Sequence, residues 1–193
     1  MINHLSGRLV EKTPASLVIE CGGVGYFVHI SLYTYDKLGK EENCKILTHL
    51  SIKEDAHTLY GFLTEAERSM FRQLISVSGV GANTARLILS SMDPDRISGA
   101  IAIADVGSLK AIKGIGEKTA QRIILELKGK VSKQSEGSVF SSGAHNTNRE
   151  EALSALLMLG FSKAGVEKVL QKLINENPAY SVEELVKLAL KNL

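Results

Sequence analysis

The sequence predicts a multidomain α+β protein, and three observations support this fold class. Short runs of β-type residues fill residues 1–63, helical patterns with a repeated motif fill residues 64–130, and three further helical patterns fill residues 149–193. Residues 131–148 show no apolar period. With 193 residues, 44% of them hydrophobic, the chain is long enough for one large domain or for two to three small domains with their own cores.

The first domain contains short runs rich in β-branched and aromatic residues. Gly22, Gly23 and Gly25 separate two of these runs, and no helical pattern follows them, so they indicate a hairpin or barrel corner rather than a nucleotide loop. About five such strands are typical of a small closed barrel such as the OB fold. The barrel lacks a basic, aromatic stripe, so it could bind nucleic acid or serve as a scaffold. The predicted strands are 2–10, 17–20, 26–31, 45–53 and 58–62.

An acidic pair lies between the last two predicted strands. Glu54 and Asp55 belong to the segment 53–56, so we expect them at the tip of a hairpin. A pair of this kind is usually only solvated. In a DNA-binding protein, two carboxylates at a loop tip could also repel phosphates and keep strands apart.

The second domain contains the same motif twice. The pattern apolar-x-Gly-apolar-Gly-x-x-Thr-Ala occupies residues 77–85 and 112–120, at a constant offset of 35 residues. Helical patterns flank each copy, so each unit is predicted to be a helix, a tight turn and a second helix. These stretches resemble the helix-hairpin-helix motif, whose tandem form is associated with binding duplex DNA through its phosphates.

The physical chemistry of the repeated turn favours a phosphate as its ligand. Two glycines let the backbone turn sharply and let a phosphate approach the peptide N–H groups closely. The turn leads into a helix N-terminus, whose first N–H groups lack partners and carry positive partial charge. Such a site holds the nucleic-acid backbone without reading bases. The predicted DNA-binding residues are Ser78, Gly79, Val80, Gly81, Asn83 and Thr84 in the first copy and Lys113, Gly114, Ile115, Gly116, Lys118, Thr119 and Arg122 in the second.

The distribution of charge supports the same segment. The formal net charge of the chain is only +2. Residues 65–130 hold ten Lys and Arg against seven Asp and Glu, whereas the segments on either side show no basic excess. Because this excess is modest, backbone N–H groups are expected to make a good share of the contact. Asn83 is uncharged where the second copy has Lys118, so the first turn is expected to rely more on them.

Several helix starts are marked by capping residues. Thr64 and Glu67 have the spacing of a capping box at the start of the second domain, and Ser181 and Glu184 have it in the last one. Asp93, followed by Pro94, ends one helix and starts the next.

No catalytic or metal-binding arrangement is recognisable. Asp93, Asp95 and Asp105 are scattered around turns and resemble helix caps, which disfavours a helix-hairpin-helix nuclease or glycosylase. Cys21 and Cys44 lie in strand-like surroundings without CxxC spacing, so we interpret them as buried reduced thiols. No cofactor is predicted. The chain start lacks the features of a signal peptide and no apolar run is long enough to span a bilayer, which favours the cytoplasm.

The last part of the chain reads as a tethered helical domain. Residues 131–148 contain five serines and two glycines and are predicted to be a flexible linker. Residues 149–193 then form three amphipathic helices, enough for a small three-helix, UBA-like bundle. A short bundle on a tether is typical of a partner-docking module; the alternative is a domain that packs back on the rest of the protein.

Taken together, the domain order and several motifs resemble the RuvA family, the Holliday-junction-binding subunits of the bacterial branch-migration complex. The resemblance spans the whole chain and includes both Gly-x-Gly hairpins. Its other specific points are Gly22-Gly23-Val24-Gly25-Tyr26, Lys53-Glu54-Asp55-Ala56 before Leu59-Tyr60-Gly61-Phe62, and Met158-Leu159-Gly160-Phe161.

The resemblance implies a four-fold homotetramer, alone or paired with a second tetramer, that holds a four-way DNA junction open. Glu54 and Asp55 would form an acidic pin near the crossover. The terminal bundle would dock RuvB, the hexameric ATPase motor, and the junction-resolving nuclease RuvC would be a further partner. By this analogy the chain itself is non-catalytic; the remaining rival is a general duplex-binding protein without junction preference. The residues assigned to partner docking are Leu156, Leu159, Gly160 and Phe161.

Overall fold

The computed structural model describes residues 2–39, 41–136 and 144–193, with the backbone alone for 130–136 and 144–147. The chain divides into two compact units, Met1–Gly137 and Ser138–Leu193. The first unit holds the barrel and the repeated motif, and the second holds the terminal helices.

The N-terminal segment is a closed five-stranded barrel, which confirms the predicted OB-like fold. The strand order around the barrel is β1-β2-β3-β5-β4, and neighbouring strands are antiparallel except for the β3–β5 pair. Its core is built from alternating side chains that point inward, among them Leu17, Ile19, Val28, Ile30 and Ile46. The strands are β1 His4–Lys12, β2 Ser16–Cys21, β3 Val24–Ile30, β4 Asn43–Ile52 and β5 His57–Phe62.

A short helix between β3 and β4 was not predicted. Helix α1 spans Leu32–Lys37, and the hydroxyl of Ser31 caps it by accepting a hydrogen bond from the N–H of Thr34 at 3.0 Å. Six residues rich in aromatic and β-branched types look like a strand by composition. The N-cap serine was the available signal for a helix.

Five helices follow the barrel within the first unit. Their buried apolar side chains share one core, and Tyr60 and Phe62 of β5 belong to that core. Thr64, Asp93 and Asp105 cap the starts of three of these helices with their side chains, as expected from their positions before helical patterns. The helices are α2 Glu65–Ile75, α3 Ala82–Ser91, α4 Pro94–Ala102, α5 Val106–Lys110 and α6 Glu117–Glu136.

Helix α6 is longer than predicted. The sequence indicated an end near Gly129, but the helix continues to Glu136. An internal glycine costs a helix only ~1 kcal/mol relative to alanine, and no proline follows it. Residues 131–136 of the predicted linker are therefore helical, residues 144–148 belong to α7, and 137–143 lie outside the described residues.

The second unit is a three-helix bundle in which each helix packs against the other two. Gly160, at φ 95°, lies just beyond the end of α7 in the left-handed region that favours glycine. Ser181 and Glu184 form the predicted capping box at the start of α9. The helices are α7 Ala144–Met158, α8 Lys163–Glu176 and α9 Val182–Asn192, and the buried core consists of Ala152, Leu156, Val166, Leu170, Leu173, Leu185 and Ala189.

Glu67 joins the helices to the barrel. Thr64 accepts a hydrogen bond from the N–H of Glu67 at 3.2 Å, which is one half of a capping box. The carboxylate does not complete the box, because it is fully buried and accepts from Ser31, from Thr34 at 2.6 Å and from the N–H of Leu63 at 3.3 Å. Burial raises the pKa of Glu67, although these hydrogen bonds oppose the rise.

Candidate nucleic-acid interface

The two copies of the motif have the same backbone hydrogen bonds. In the first turn the N–H of Val80 donates to the carbonyl of Val77 at 3.0 Å. In the second turn Ile115 and Ile112 form the corresponding bond, also at 3.0 Å. The repeat in the sequence is therefore a repeat of structure, with helix, turn and helix in each copy.

Four glycines act in two different ways in these turns. Gly79 and Gly114 both lie at φ 89°, where a side chain would be strained. Gly81 and Gly116 do not have a positive φ. A Cβ added at either of them would meet no atom within 4 Å. The first pair thus shapes the turns, and the second pair leaves open space in front of the helix starts.

The helix that follows the first turn has no side-chain cap. Gly81 occupies the N-cap position of α3, whereas Thr64 and Asp93 cap α2 and α4 with side-chain oxygens. The N–H groups of the first turn of a helix have no partners within the helix, and the helix dipole makes them attractive to an anion. Gly116 stands at the same position before α6. Both helix starts are therefore suited to bind phosphate.

Val80 and Ile115 pack the two turns against the helical core. Their side chains are buried in the helical core and their N–H groups donate within the turns, so these two residues do not offer the phosphate contact that was predicted for them. Five further buried apolar positions of the first copy have buried apolar counterparts in the second. The matched pairs are Leu74 and Leu109, Val77 and Ile112, Ala85 and Ala120, Ile88 and Ile123, and Leu89 and Ile124.

Basic side chains lie around the second turn. Lys113 and Lys118 are exposed, whereas Lys110 pairs with Glu117 at 3.2 Å on the surface, a contact worth little in water. Arg122 reaches across to the first copy, where its guanidinium donates to the carbonyl of Ser78 at 3.1 Å. This arginine therefore connects the two turns.

The first turn has an exposed amide where the second has a lysine. The hydroxyl of Tyr60 donates to Oδ1 of Asn83 at 3.3 Å. Sequence reasoning identified Asn83 but missed Tyr60, which lies in the barrel strand β5 and carries only a strand signal. Thr84 and Thr119 are half-buried beside the helix starts, and Ser78 is exposed.

The acidic pair lies at the tip of the hairpin between β4 and β5. Ile52 and His57 form the last pair of the ladder, and the N–H of Lys53 donates to the carbonyl of Ala56 at 2.9 Å. Glu54 and Asp55 are left as the two exposed residues at the tip.

The predicted docking residues of the bundle differ in exposure. Leu156 is 0% exposed and belongs to the bundle core, so it cannot itself contact a partner. Leu159 is 60% exposed and Phe161 36%, while Met158, which sequence reasoning did not select, is 86% exposed. These three side chains surround Gly160 at the turn between α7 and α8, and we call them the α7–α8 apolar patch.

Other chemistry is not apparent in the part of the chain that the structure describes. Among those residues, no group of three or more His, Cys, Asp or Glu side chains is arranged to hold a metal ion. Cys21 and Cys44 are half-buried free thiols. Likewise, no helix within the described ranges is long and apolar enough to cross a membrane.

Three regions of the chain match known protein-family models. Residues 1–61 match the model of the RuvA N-terminal domain, and residues 147–193 match the model of the RuvA C-terminal domain. Residues 71–130 match a SAM-like helix-hairpin-helix tandem.

Individual proteins are similar to this chain over its whole length. Those from Christiangramia forsetii and Flavobacterium psychrophilum are each 52% identical to it, with 100% of both chains covered. A protein from Bacteroides thetaiotaomicron is 43% identical, again with 100% of both chains covered. All three bear the name Holliday junction branch migration complex subunit RuvA.

Proposed function

The chain belongs to the RuvA family, and on that basis we propose that it binds four-way DNA junctions and recruits an ATPase motor for branch migration in recombination and repair. It is a non-catalytic subunit in this scheme, acting in the cytoplasm. Its barrel, residues 1–63, and its helical domain, residues 64–130, hold the DNA, and the bundle, residues 149–193, recruits the motor. The observation that carries the proposal is the pair of matching phosphate-binding turns.

The two turns hold the backbone of a duplex arm. Each has a glycine directly before a helix, and the first N–H groups of that helix have no partners within the helix. Lys113, Lys118 and Arg122 add positive charge around the second turn. Contacts of this kind go to phosphates and fix the protein on the duplex without reading the sequence. Binding that does not depend on base sequence allows the DNA to move past the protein during branch migration.

The acidic tip acts where the arms meet. Glu54 and Asp55 are exposed at the end of a two-stranded projection of the barrel. Two carboxylates there repel phosphates, so they keep the exchanging strands apart and discourage the junction from closing. This role distinguishes a junction-binding protein from a general duplex-binding one.

The α7–α8 apolar patch docks the motor, the RuvB ATPase. Met158, Leu159 and Phe161 are large apolar side chains exposed around one turn, which is typical of a site that a partner covers. Leu156 supports the patch from within the bundle.

The complete assembly is a homotetramer, acting as one tetramer or as two face to face. Four copies around the crossover would present one pair of turns to each arm and four acidic tips to the centre. Large exposed apolar side chains of the first unit, such as Phe27 and Leu87, provide surface that a neighbouring copy can bury. The junction-resolving nuclease RuvC would act on the DNA held in this way.

Competition between DNA forms tests the proposal. The purified protein is bound to a labelled synthetic four-way junction, and excess unlabelled linear duplex of the same sequence is added at a stated salt concentration. We expect the junction to stay bound. If duplex competes equally with the junction, the chain is a general duplex-binding protein and the proposed role of the acidic tip is wrong.

A further inference from the structure

One of the positions at which the two phosphate-binding turns differ is the second residue of the helix that follows the glycines. Lys118 in the second copy corresponds to Asn83 in the first, at the offset of 35 residues that relates the copies. Both side chains are exposed and lie in the first turn of the helix that follows the glycines. The first copy therefore has an amide where the second has a charge.

Asn83 is held by a residue from another domain. Its Oδ1 accepts a hydrogen bond from the hydroxyl of Tyr60 at 3.3 Å. An amide oxygen that accepts from tyrosine leaves the Nδ2 amino group, with two hydrogens, on the opposite side of the side chain.

Tyr60 itself is rigidly placed. It is only 6% exposed, and its ring lies 5.2 Å from that of Phe71 and 5.7 Å from that of His29, measured between centroids. Burial and these two ring contacts restrict the tyrosine ring, so its hydroxyl has a defined position. A hydrogen bond from a fixed donor orients Asn83 at little further cost in conformational entropy.

We propose that Tyr60 is a positioning residue for DNA binding: it turns the Nδ2 group of Asn83 toward the open side of the first turn, where that group donates to a DNA phosphate. This inference rests on the proposed function, in which the turn holds the phosphate backbone. The barrel thereby completes the phosphate site of the first hairpin.

The first turn consequently binds phosphate without contributing a cation at this position. Arg86, three residues further along α3, donates instead to the barrel carbonyls of Ala15 at 3.0 Å and Ile30 at 3.4 Å. A neutral donor releases no counterion from the DNA, whereas each lysine contact steepens the dependence of affinity on salt. The two hairpins therefore respond differently to ionic strength.

The test uses the full-length protein and a short linear duplex, with affinity measured at several salt concentrations. The variants are Tyr60→Phe, Asn83→Ala, the double variant and Lys118→Ala as the matched control. For Asn83→Ala we expect about tenfold weaker binding at every salt concentration, as for a lost hydrogen bond to a charged group. Tyr60→Phe should weaken binding a few-fold and add nothing in the Asn83→Ala background. Lys118→Ala should reduce the slope of log affinity against log salt by about 1 per duplex bound.

Several outcomes would overturn the proposal. Full affinity in Asn83→Ala means that the amide makes no contact. If Tyr60→Phe weakens binding equally in the wild-type and Asn83→Ala backgrounds, the tyrosine affects binding only through the stability of the fold and not through Asn83. Asn83→Asp provides a check that leaves Tyr60 intact, because it keeps the hydrogen-bond acceptor but places a carboxylate beside the phosphate. We expect this variant to lose nearly all DNA binding while its melting temperature stays unchanged. Wild-type affinity in this variant would contradict the proposal. Failure of the proposed function looks different: wild-type protein would bind neither the duplex nor a four-way junction, or it would bind both with equal affinity.

Discussion

The guanidinium of Arg122 donates to the carbonyl of Ser78 at 3.1 Å, a contact between residues 44 positions apart in the chain. Arg122 lies on the helix of the second hairpin and Ser78 in the turn of the first. The same guanidinium lies 3.8 Å from the position that a Cβ on Gly79 would occupy. One side chain of the second hairpin thus contacts the turn of the first and places its positive charge beside that turn.

Two variants of Arg122 distinguish the effect of its charge from the effect of its hydrogen bond to Ser78. Arg122→Lys keeps the charge but loses the planar fork that reaches the carbonyl, so we expect a few-fold weaker duplex binding with the salt dependence retained. Arg122→Ala should weaken binding by about tenfold or more and also reduce the salt slope by about 1. Fluorescence anisotropy across a salt series measures both. If lysine restores wild-type affinity, only the charge of Arg122 matters.

Two glycines of the second turn provide a matched comparison. Gly114→Ala forces a side chain into the left-handed region, which should cost about 1–2 kcal/mol of stability and also weaken DNA binding. Gly116→Ala meets no neighbouring atom, so the unfolding free energy should change little while the added methyl group obstructs the phosphate. Urea unfolding and duplex titration of both variants test this. Unimpaired DNA binding by Gly116→Ala would show that the phosphate does not approach there.

Neutralising the acidic tip should affect the rate of branch migration more than the affinity for the junction. In the variant with Glu54→Gln and Asp55→Asn, repulsion between the carboxylates and the phosphates is removed. We expect junction affinity to stay the same or rise, and the rate of motor-driven branch migration to change. Gel shift on a four-way junction and a strand-exchange assay with the motor present provide the two readouts. A large loss of junction affinity would contradict a repulsive role.

Disrupting the α7–α8 apolar patch should uncouple the protein from the motor. Leu159→Asp alters an exposed side chain, so the bundle should remain folded and DNA binding unchanged, while motor-stimulated branch migration falls by at least tenfold. Leu190→Asp, an exposed leucine on α9, is the matched control and should behave like wild type. Leu156→Ala acts differently, because it removes a core side chain and should destabilise the bundle by about 2–5 kcal/mol. Normal migration with Leu159→Asp would place the docking surface elsewhere.

Glu67 makes stability depend on pH. Its pKa is raised chiefly by burial, so the folded state holds the proton more tightly than the unfolded state does. The resulting stabilisation is complete below the ordinary pKa of 4.5 and is lost as the pH rises through the folded-state value. Each pH unit between the two pKa values lowers the unfolding free energy by about 1.4 kcal/mol.

Glu67→Gln removes this titration. The unfolding free energy of the variant, relative to wild type, should therefore increase as the pH rises from 4.5 toward the folded-state value, and then level off. Urea unfolding at a series of pH values measures the difference. Because burial lowers the pKa of His29 and His49 in both proteins, their contribution cancels. A constant difference across this range would mean that the carboxyl titrates normally when folded.

Features that depend on a few neighbouring residues were predicted well from the sequence. The two turns are an example: Gly79 and Gly114 have the same φ of 89°, and the repeated motif had already indicated the same turn in both copies. Helix starts at Thr64, Asp93 and Ser181 follow the same rule, since a cap bonds to an N–H only two or three positions away. Helix α1 was missed because half of its six residues are aromatic or β-branched types that favour strands. The end of α6 was misplaced because one glycine does not end a helix.

The sequence by itself determined the order of the domains, the five barrel strands, the doubled hairpin and the position of the acidic tip. These follow from periodicity, glycine sterics and capping, which act over short distances along the chain. Only the tertiary structure decided that Tyr60 meets Asn83, that Arg122 meets Ser78, that Glu67 is buried and that Leu156 lies inside the bundle while Leu159 lies outside. Such contacts join residues from different elements, or depend on which side of a helix its neighbours cover, and both are set by the packing of the whole domain.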